Sequence, residues 1–144
     1  MLTRQLVEDG VDVKCSFEPI SFNHQNNQGT TVTLENKTDG SQVDLNFDAV
    51  LIAVGRKPNV HGIGLAEAGV EFSEAGVTVN DNLRTTNKDI YAVGDCCSLL
   101  QFTHNCDLQA RIVLYNALLF QSQSYRSRPL PWTTYTHPEV AHVG

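Results

Sequence analysis

The sequence predicts a mixed α/β fold, and three patterns in its 144 residues carry that expectation. Apolar and polar residues alternate with a period of two over 11–17 and again over 43–47, as in half-buried strands. Six apolar residues, Ala49-Val50-Leu51-Ile52-Ala53-Val54, follow without alternation, which marks a strand covered on both faces, as in a parallel sheet flanked by helices. From Thr103 to about Ser122 apolar residues return at spacings of four and three, the period of a helix.

Taken in order, Leu2, Leu6 and Val7 stand at helical spacing and stop at Gly10, as the last turns of an amphipathic helix do. Val11, Val13, Cys15 and Phe17 alternate with Asp12, Lys14 and Ser16, a strand that Pro19 ends or kinks. A polar stretch over 23–28 separates it from a strand at Thr31 to Leu34. The turn residues Thr38-Asp39-Gly40 then lead into Val43, Leu45 and Phe47, so the punctuation predicts an antiparallel meander. Asn36-Lys37-Thr38 fits the glycosylation pattern but sits where that turn is expected. The apolar six end at Gly55-Arg56-Lys57-Pro58-Asn59, because Pro58 lacks a donor and holds Lys57 extended; a boundary is placed here. Leu65 to Ala68 suggests a short helix closed by Gly69, Val77 to Val79 a strand, and 83–87 a loop. Ile90-Tyr91-Ala92-Val93 forms a short apolar strand that ends in Gly94-Asp95, followed by a loop over 96–101. In the long helix Cys106, Ala110, Val113, Ala117 and Phe120 make one apolar row and Leu108, Ile112 and Leu119 a second, so burial over most of its girth is expected. A linker at 124–131 precedes a final strand, Trp132 to Thr136.

Composition narrows the function classes. With 41% hydrophobic and 18% charged residues the chain can bury a core. Ten Lys and Arg stand against sixteen Asp and Glu, a net charge of -6 with the basic residues scattered, which argues against a nucleic-acid or anionic-membrane surface. No apolar run reaches the ~18 residues of a membrane span; the nearest candidate, Ile112 to Phe120, is interrupted by Asn116. No secretory signal is visible, so the expected location is the cytoplasm or an organellar stroma or matrix. Cys15, Cys96, Cys97 and Cys106 lack paired CxxC spacing, which argues against zinc and for free thiols in a reducing compartment.

Two features carry chemistry. A buried strand ending in Gly94-Asp95 puts a carboxylate at the carboxyl edge of a sheet, where it can accept hydrogen bonds from sugar-like hydroxyls or merely cap a turn. A helix beginning near Thr103 offers unpaired N–H groups and a partial positive charge to an electron-rich ligand edge, unless Thr103 or Asn105 caps it; both can hold together.

These residues carry a resemblance. Phe47 to Asn59 is similar to the segment that closes the NAD(P) domain of the class I pyridine nucleotide-disulfide oxidoreductases, and Thr86 to Asp95 resembles their second flavin motif. Phe102-Thr103-His104, Gln109-Ala110-Arg111, Pro131-Trp132, Tyr135-Thr136 and 138–144 resemble the mercuric reductase branch, beside dihydrolipoamide dehydrogenase. The resemblance implies a homodimeric flavoenzyme that passes electrons from NAD(P)H through FAD to a cysteine pair and a substrate. It implies a partial FAD/NAD(P)-binding Rossmann-like fold: the end of an NAD(P) domain at 1–55, a central FAD-contacting segment at 56–124 and the first strand of a dimerisation domain at 125–144. By resemblance Asp95, with Gly94 beside it, holds the FAD ribitol; the backbone around Phe102, Thr103 and His104 meets the pyrimidine edge of the flavin; Arg56 lies near the flavin phosphates; and Gly55 stands where the FAD and NAD(P) domains meet.

Departures from the family pattern weigh as much. The chain contains no GxGxxG, with Gly62-Ile63-Gly64 as the nearest approach, and no CxxxxC. Cys96-Cys97 is adjacent, and its disulfide ring would be strained. His137-Pro138 is no substitute for the family's His-Glu acid-base pair, and His104 reads as a loop or helix-start residue rather than an acid. The chain is therefore expected to be a middle-to-late portion of such an enzyme, inactive alone. The alternative is a non-catalytic module that pairs with a full-length subunit through 132–144.

Overall fold

A computed structural model describes residues 2–25, 29–119 and 122–144 of the chain. They form two compact units, one of 1–54 with 136–138 and the other of 55–135 with 139–144.

The first unit opens with helix α1, Leu2–Glu8, closed by Gly10 at φ 89, the left-handed conformation that glycine adopts without a Cβ penalty. An antiparallel sheet follows in the order β1-β2-β3, from β1, Phe17–Gln25, through β2, Gly29–Asn36, to β3, Gln42–Phe47. The meander is as expected, but β1 is not: 11–14 are irregular, and the strand begins at Phe17, where the alternating run was expected to end. Ser16 at φ 63 breaks the extended path ahead of it. Pro19 lies inside β1 at a register shift between Pro19 and Ser21, the bulge by which a strand accommodates a missing donor. The part of the polar stretch at 26–28 lies outside the described residues. Asn36 closes β2 by accepting the Thr38 N–H at 2.9 Å, so the Asn-Lys-Thr triplet is the turn.

The apolar six at 49–54 form no strand. Leu51 is 91% and Val54 81% exposed, because among the described residues no strand runs beside them to share backbone hydrogen bonds.

In the second unit Val60, Val70 and Val77 make the buried centre, with Leu65, Phe72, Ile90 and Ala92 packed around it. The short helix expected at 65–68 is a single turn, closed by bonds from Gly69 N–H to Ala66 O and Val70 N–H to Leu65 O. The strand at 77–79 reduces to β5, Gly76–Val77, paired with β4, Phe72–Ser73. Ile90 to Val93 is not a strand either: it keeps one bridge, Tyr91 to Arg84, and runs into a 3-10 turn, Gly94–Cys96.

Helix α2 spans Thr103–Leu118; of the two expected apolar rows it buries Ile112 fully and Cys106, Leu108 and Val113 in part, and the rest of its buried face is polar. Asn105, Gln109, Ile112 and Asn116 are buried, while Ala110, Leu114, Ala117 and Leu119 are exposed; Phe120 lies outside the described residues. The loops beneath α2 present backbone groups that need partners. Asn116 Nδ2 donates to Asn82 O at 3.2 Å and to Gln123 O at 2.9 Å, and its Oδ1 accepts the Gln123 N–H at 2.7 Å. A polar stripe faces inward because it hydrogen-bonds irregular backbone that an apolar stripe would leave unsatisfied. Strand β6, Pro131–Thr134, pairs with β7, Val140–Val143, as an antiparallel hairpin.

Candidate functional site

The 3-10 turn at Gly94–Cys96 meets the start of α2 in the second unit. Gly94 has φ 78, and a Cβ there would stand 2.7 Å from Cys106 Sγ, so glycine is required both by conformation and by space. Its buried N–H donates to Gln109 Oε1 at 2.6 Å. Gln109 is 1% exposed, and its Nε2 has no partner among the described residues, so the same side chain holds the turn and carries an unused donor.

That turn presents the Asp95 carboxylate, 40% exposed, with Arg56 Nη1 at 3.2 Å from Oδ2 and Cys106 Sγ at 3.7 Å from Oδ1. Arg56 also donates to Gln101 O, and Gln101 Nε2 returns to Asp95 O at 3.4 Å. The structure thus brings Gly94, Asp95 and Arg56 together, with Gly55 contributing only backbone at φ 113 ahead of Arg56.

Helix α2 starts without a side-chain cap. Phe102 is the N-cap residue, and Asn105 instead donates to Leu100 O at 2.8 Å and Ser98 Oγ at 3.1 Å; Thr103 makes no cap either. The expected Thr103 or Asn105 cap is therefore absent. Backbone bonds to Phe102 O come from Asn105 and Cys106, and the Thr103 and His104 N–H groups have no partner among the described residues. His104 stacks on Phe102 at 5.5 Å between ring centroids, Phe102 on Trp132 at 5.8 Å, and His104 Nε2 lies 2.7 Å from Pro131 O. His104 is thus tied to a main-chain carbonyl.

An exposed carboxylate, a neighbouring guanidinium and free N–H groups at a helix start can bind a ligand that has hydroxyls, anionic charge and an electron-rich ring edge. The residues fit the polyol and ring-edge parts of a flavin. They do not fit a dinucleotide pyrophosphate, because Gly62-Ile63-Gly64 lies in a bend with no strand before it and no helix after it.

The adjacent cysteines shift in opposite directions. A hydrogen bond from the Cys97 thiol to Cys96 stabilises the Cys96 thiolate and brings it down to about 6, against burial and the Asp95 charge. Donating that bond, with burial, pushes Cys97 up. Alkylation of Cys96 by iodoacetamide is expected to rise with pH through about 6 and level off above it, since only the thiolate reacts. Cys97→Ala removes the donor and moves that midpoint upward; an unchanged pH profile would count against the pairing.

Gln109, Gln101 and the opposed thiol shifts were not found as site features from the sequence. The one available signal was the polar stripe Asn105, Gln109 and Asn116, spaced by four and seven on one helical face.

Comparison with known proteins shows the family of the chain. The pyridine nucleotide-disulphide oxidoreductase family pattern matches residues 1–110. A mercuric reductase of Staphylococcus aureus is 36% identical over 83% of this chain and 22% of its own length. A dihydrolipoyl dehydrogenase of Thermus scotoductus is 32% identical over 100% of this chain and 31% of its own length. Among solved structures, LpdA from Mycobacterium tuberculosis superposes with a TM-score of 0.84 at 33% identity, over 99% of this chain and 30% of LpdA. The chain spans under a third of the length of these relatives. Its α/β architecture, with the antiparallel meander, is that of the FAD/NAD-binding disulfide oxidoreductase fold, and the chain belongs to the pyridine nucleotide-disulphide oxidoreductase family.

Proposed function

We propose that the chain supplies part of the flavin site of an NAD(P)H-dependent, homodimeric flavoprotein disulfide oxidoreductase of the mercuric reductase-like kind. The observation that carries this reading is the Asp95 carboxylate, presented on a 3-10 turn beside Arg56. The chemistry supplied at such a site is electron transfer from NAD(P)H by way of FAD to a disulfide or metal substrate. Asp95 accepts hydrogen bonds from ribitol hydroxyls, with Gly94 keeping the backbone close and Gln109 fixing the turn. The Thr103 and His104 N–H groups donate to the pyrimidine edge, and Phe102 stacks behind them. Arg56 faces the phosphates, and Gly55 lets the chain pass from the NAD(P) domain into the FAD-contacting segment. The segments keep the order 1–55, 56–124 and 125–144.

By itself the chain lacks both a pyrophosphate cradle and a CxxxxC pair, so it is expected to hold FAD weakly and to oxidise no NAD(P)H. Fluorescence titration with FAD should show weak binding that Asp95→Ala weakens by about tenfold, the cost of losing hydrogen bonds to a charged acceptor. FAD co-purifying at near one equivalent, together with NAD(P)H oxidation, would overturn the expected inactivity; equal FAD binding by wild type and Asp95→Ala would overturn the site.

A second reading, a non-catalytic module that pairs with a full-length subunit through 132–144, is favoured by β7, which is exposed along its whole length. Co-expression with a full-length family member separates the two, because only the module is retained by the partner and loses retention when 131–144 is deleted.

A further inference from the structure

The second unit holds a cleft of about 510 Å³ away from the Asp95 carboxylate, and none of the residues assigned above to the flavin lines it. That volume lies in the range of small-molecule sites. Three segments form its sides, and each is fixed by its own hydrogen bonds. In the β4–β5 hairpin Ser73 Oγ accepts the Ala75 N–H at 3.2 Å, and the chain turns back through Gly76 at φ 131 to present Val77, Thr78 and Val79. In the loop ahead of α2, Ser98 Oγ accepts the Leu100 N–H at 3.2 Å and an Asn105 Nδ2 donor at 3.1 Å, which pins Leu99 and Leu100 between the 3-10 turn and the helix. On the third side the Tyr125 N–H donates to Asp81 O at 3.0 Å, and Arg126 Nε lies 3.0 Å from Asp81 Oδ1. Walls held in this way cost an occupant little ordering entropy.

The lining sets the chemistry of that occupant. Val77, Val79, Leu99 and Leu100, with the Tyr125 ring, make most of the surface apolar. Leu99 is 88% and Leu100 43% exposed, apolar area that an occupant would take out of water. Arg126 is the one charged side chain in the lining, which contains no carboxylate. A guanidinium has five N–H donors, so a fork held through Nε to one carboxylate can donate to a second acceptor. Asp81 already offsets part of the Arg126 charge, so a single negative charge suits the cleft better than a phosphate dianion.

We propose that this cleft is a binding site for a small, mostly apolar monocarboxylate, whose aryl or branched aliphatic body lies on Val79, Leu99 and Leu100 and whose carboxylate accepts hydrogen bonds from Arg126. Binding is non-covalent. The apolar body supplies most of the affinity and Arg126 the preference for an acid over a neutral analogue of the same shape.

The probe is 2-naphthoate, titrated into the intact ¹⁵N-labelled chain and followed by the amide resonances. Thr78, Val79, Ser98 and Leu99 should shift together and saturate as one site. The uncharged 2-naphthamide should bind the same residues about fivefold more weakly, the effect of one exposed ion pair. Arg126→Gln should erase that difference while leaving the amide's affinity unchanged. Thr78→Trp, which fills the cleft, should abolish binding of both. The wild-type shift map and the acid-to-amide ratio decide the case even where a variant folds poorly. Shifts confined to 49–54 or to the exposed Leu114–Leu119 face of α2, equal affinities for acid and amide, or an unchanged ratio in Arg126→Gln would overturn the proposal. None of these readouts uses flavin, so they stand or fall separately from the FAD titration.

Discussion

Alanine at Gly76 is expected to destabilise the second unit by about 3 kcal/mol, the sum of left-handed backbone strain and overpacking. Gly76 has φ 131, and its missing Cβ would lie 2.5 Å from Cys96 O and 3.2 Å from Cys96 C. The clash is with backbone, so no side-chain rotamer relieves it. Relief requires β5 and the 3-10 turn to separate, which would carry Asp95 away from Arg56. Hydrogen exchange is the appropriate measurement, because two compact units need not unfold together. The Val70 and Ala92 amides, bonded within the second unit, should lose protection by about a hundredfold, while the β2 amides keep theirs. Unchanged protection at Val70 and Ala92 would refute the close packing.

Ile112→Ala is expected to cost about 2–5 kcal/mol, against about 0.5–1.5 kcal/mol for Ile112→Val. Ile112 is 1% exposed and is the one apolar side chain among the buried residues of α2, the others being Asn105, Gln109 and Asn116. Those amides fix direction through hydrogen bonds, and each contributes modestly because water satisfies the same groups in the unfolded chain. Fully buried apolar anchorage of the helix therefore rests on Ile112, beside the half-buried Leu108 and Val113, and its removal should free the Gly94 N–H from Gln109. Chemical denaturation followed by far-ultraviolet circular dichroism tests this. A loss for Ile112→Ala no larger than that for Ile112→Val would show that the amide contacts alone hold α2.

Local chemistry made several elements readable without coordinates. Gly10 closes α1, the Thr-Asp-Gly turn joins β2 to β3, and α2 begins at Thr103, because each depends on residues close together in the chain. The juxtaposition of Gly94-Asp95 with a helix start was likewise legible, since fewer than ten residues separate them. What stayed hidden depends on partners distant in sequence. An apolar run at 49–54 looks like a buried strand, but burial needs neighbouring strands, and the described residues put none beside it.

Helix α2 shows the same division from the other side. Periodicity established that it is a helix, because that follows from spacing along one segment. Which face turns inward was settled by the loops it covers, whose Gly94 N–H, Leu100 O, Asn82 O and Gln123 O take Gln109, Asn105 and Asn116 as partners. Hydrophobic patterning weighs apolar area and is blind to unsatisfied backbone, which costs about 1–3 kcal/mol per buried group. The types and order of the elements were therefore written into the chain locally. The inward amide stripe and the Arg56–Asp95 pair arose only when segments distant in sequence met, and within the stripe each buried amide found a backbone partner.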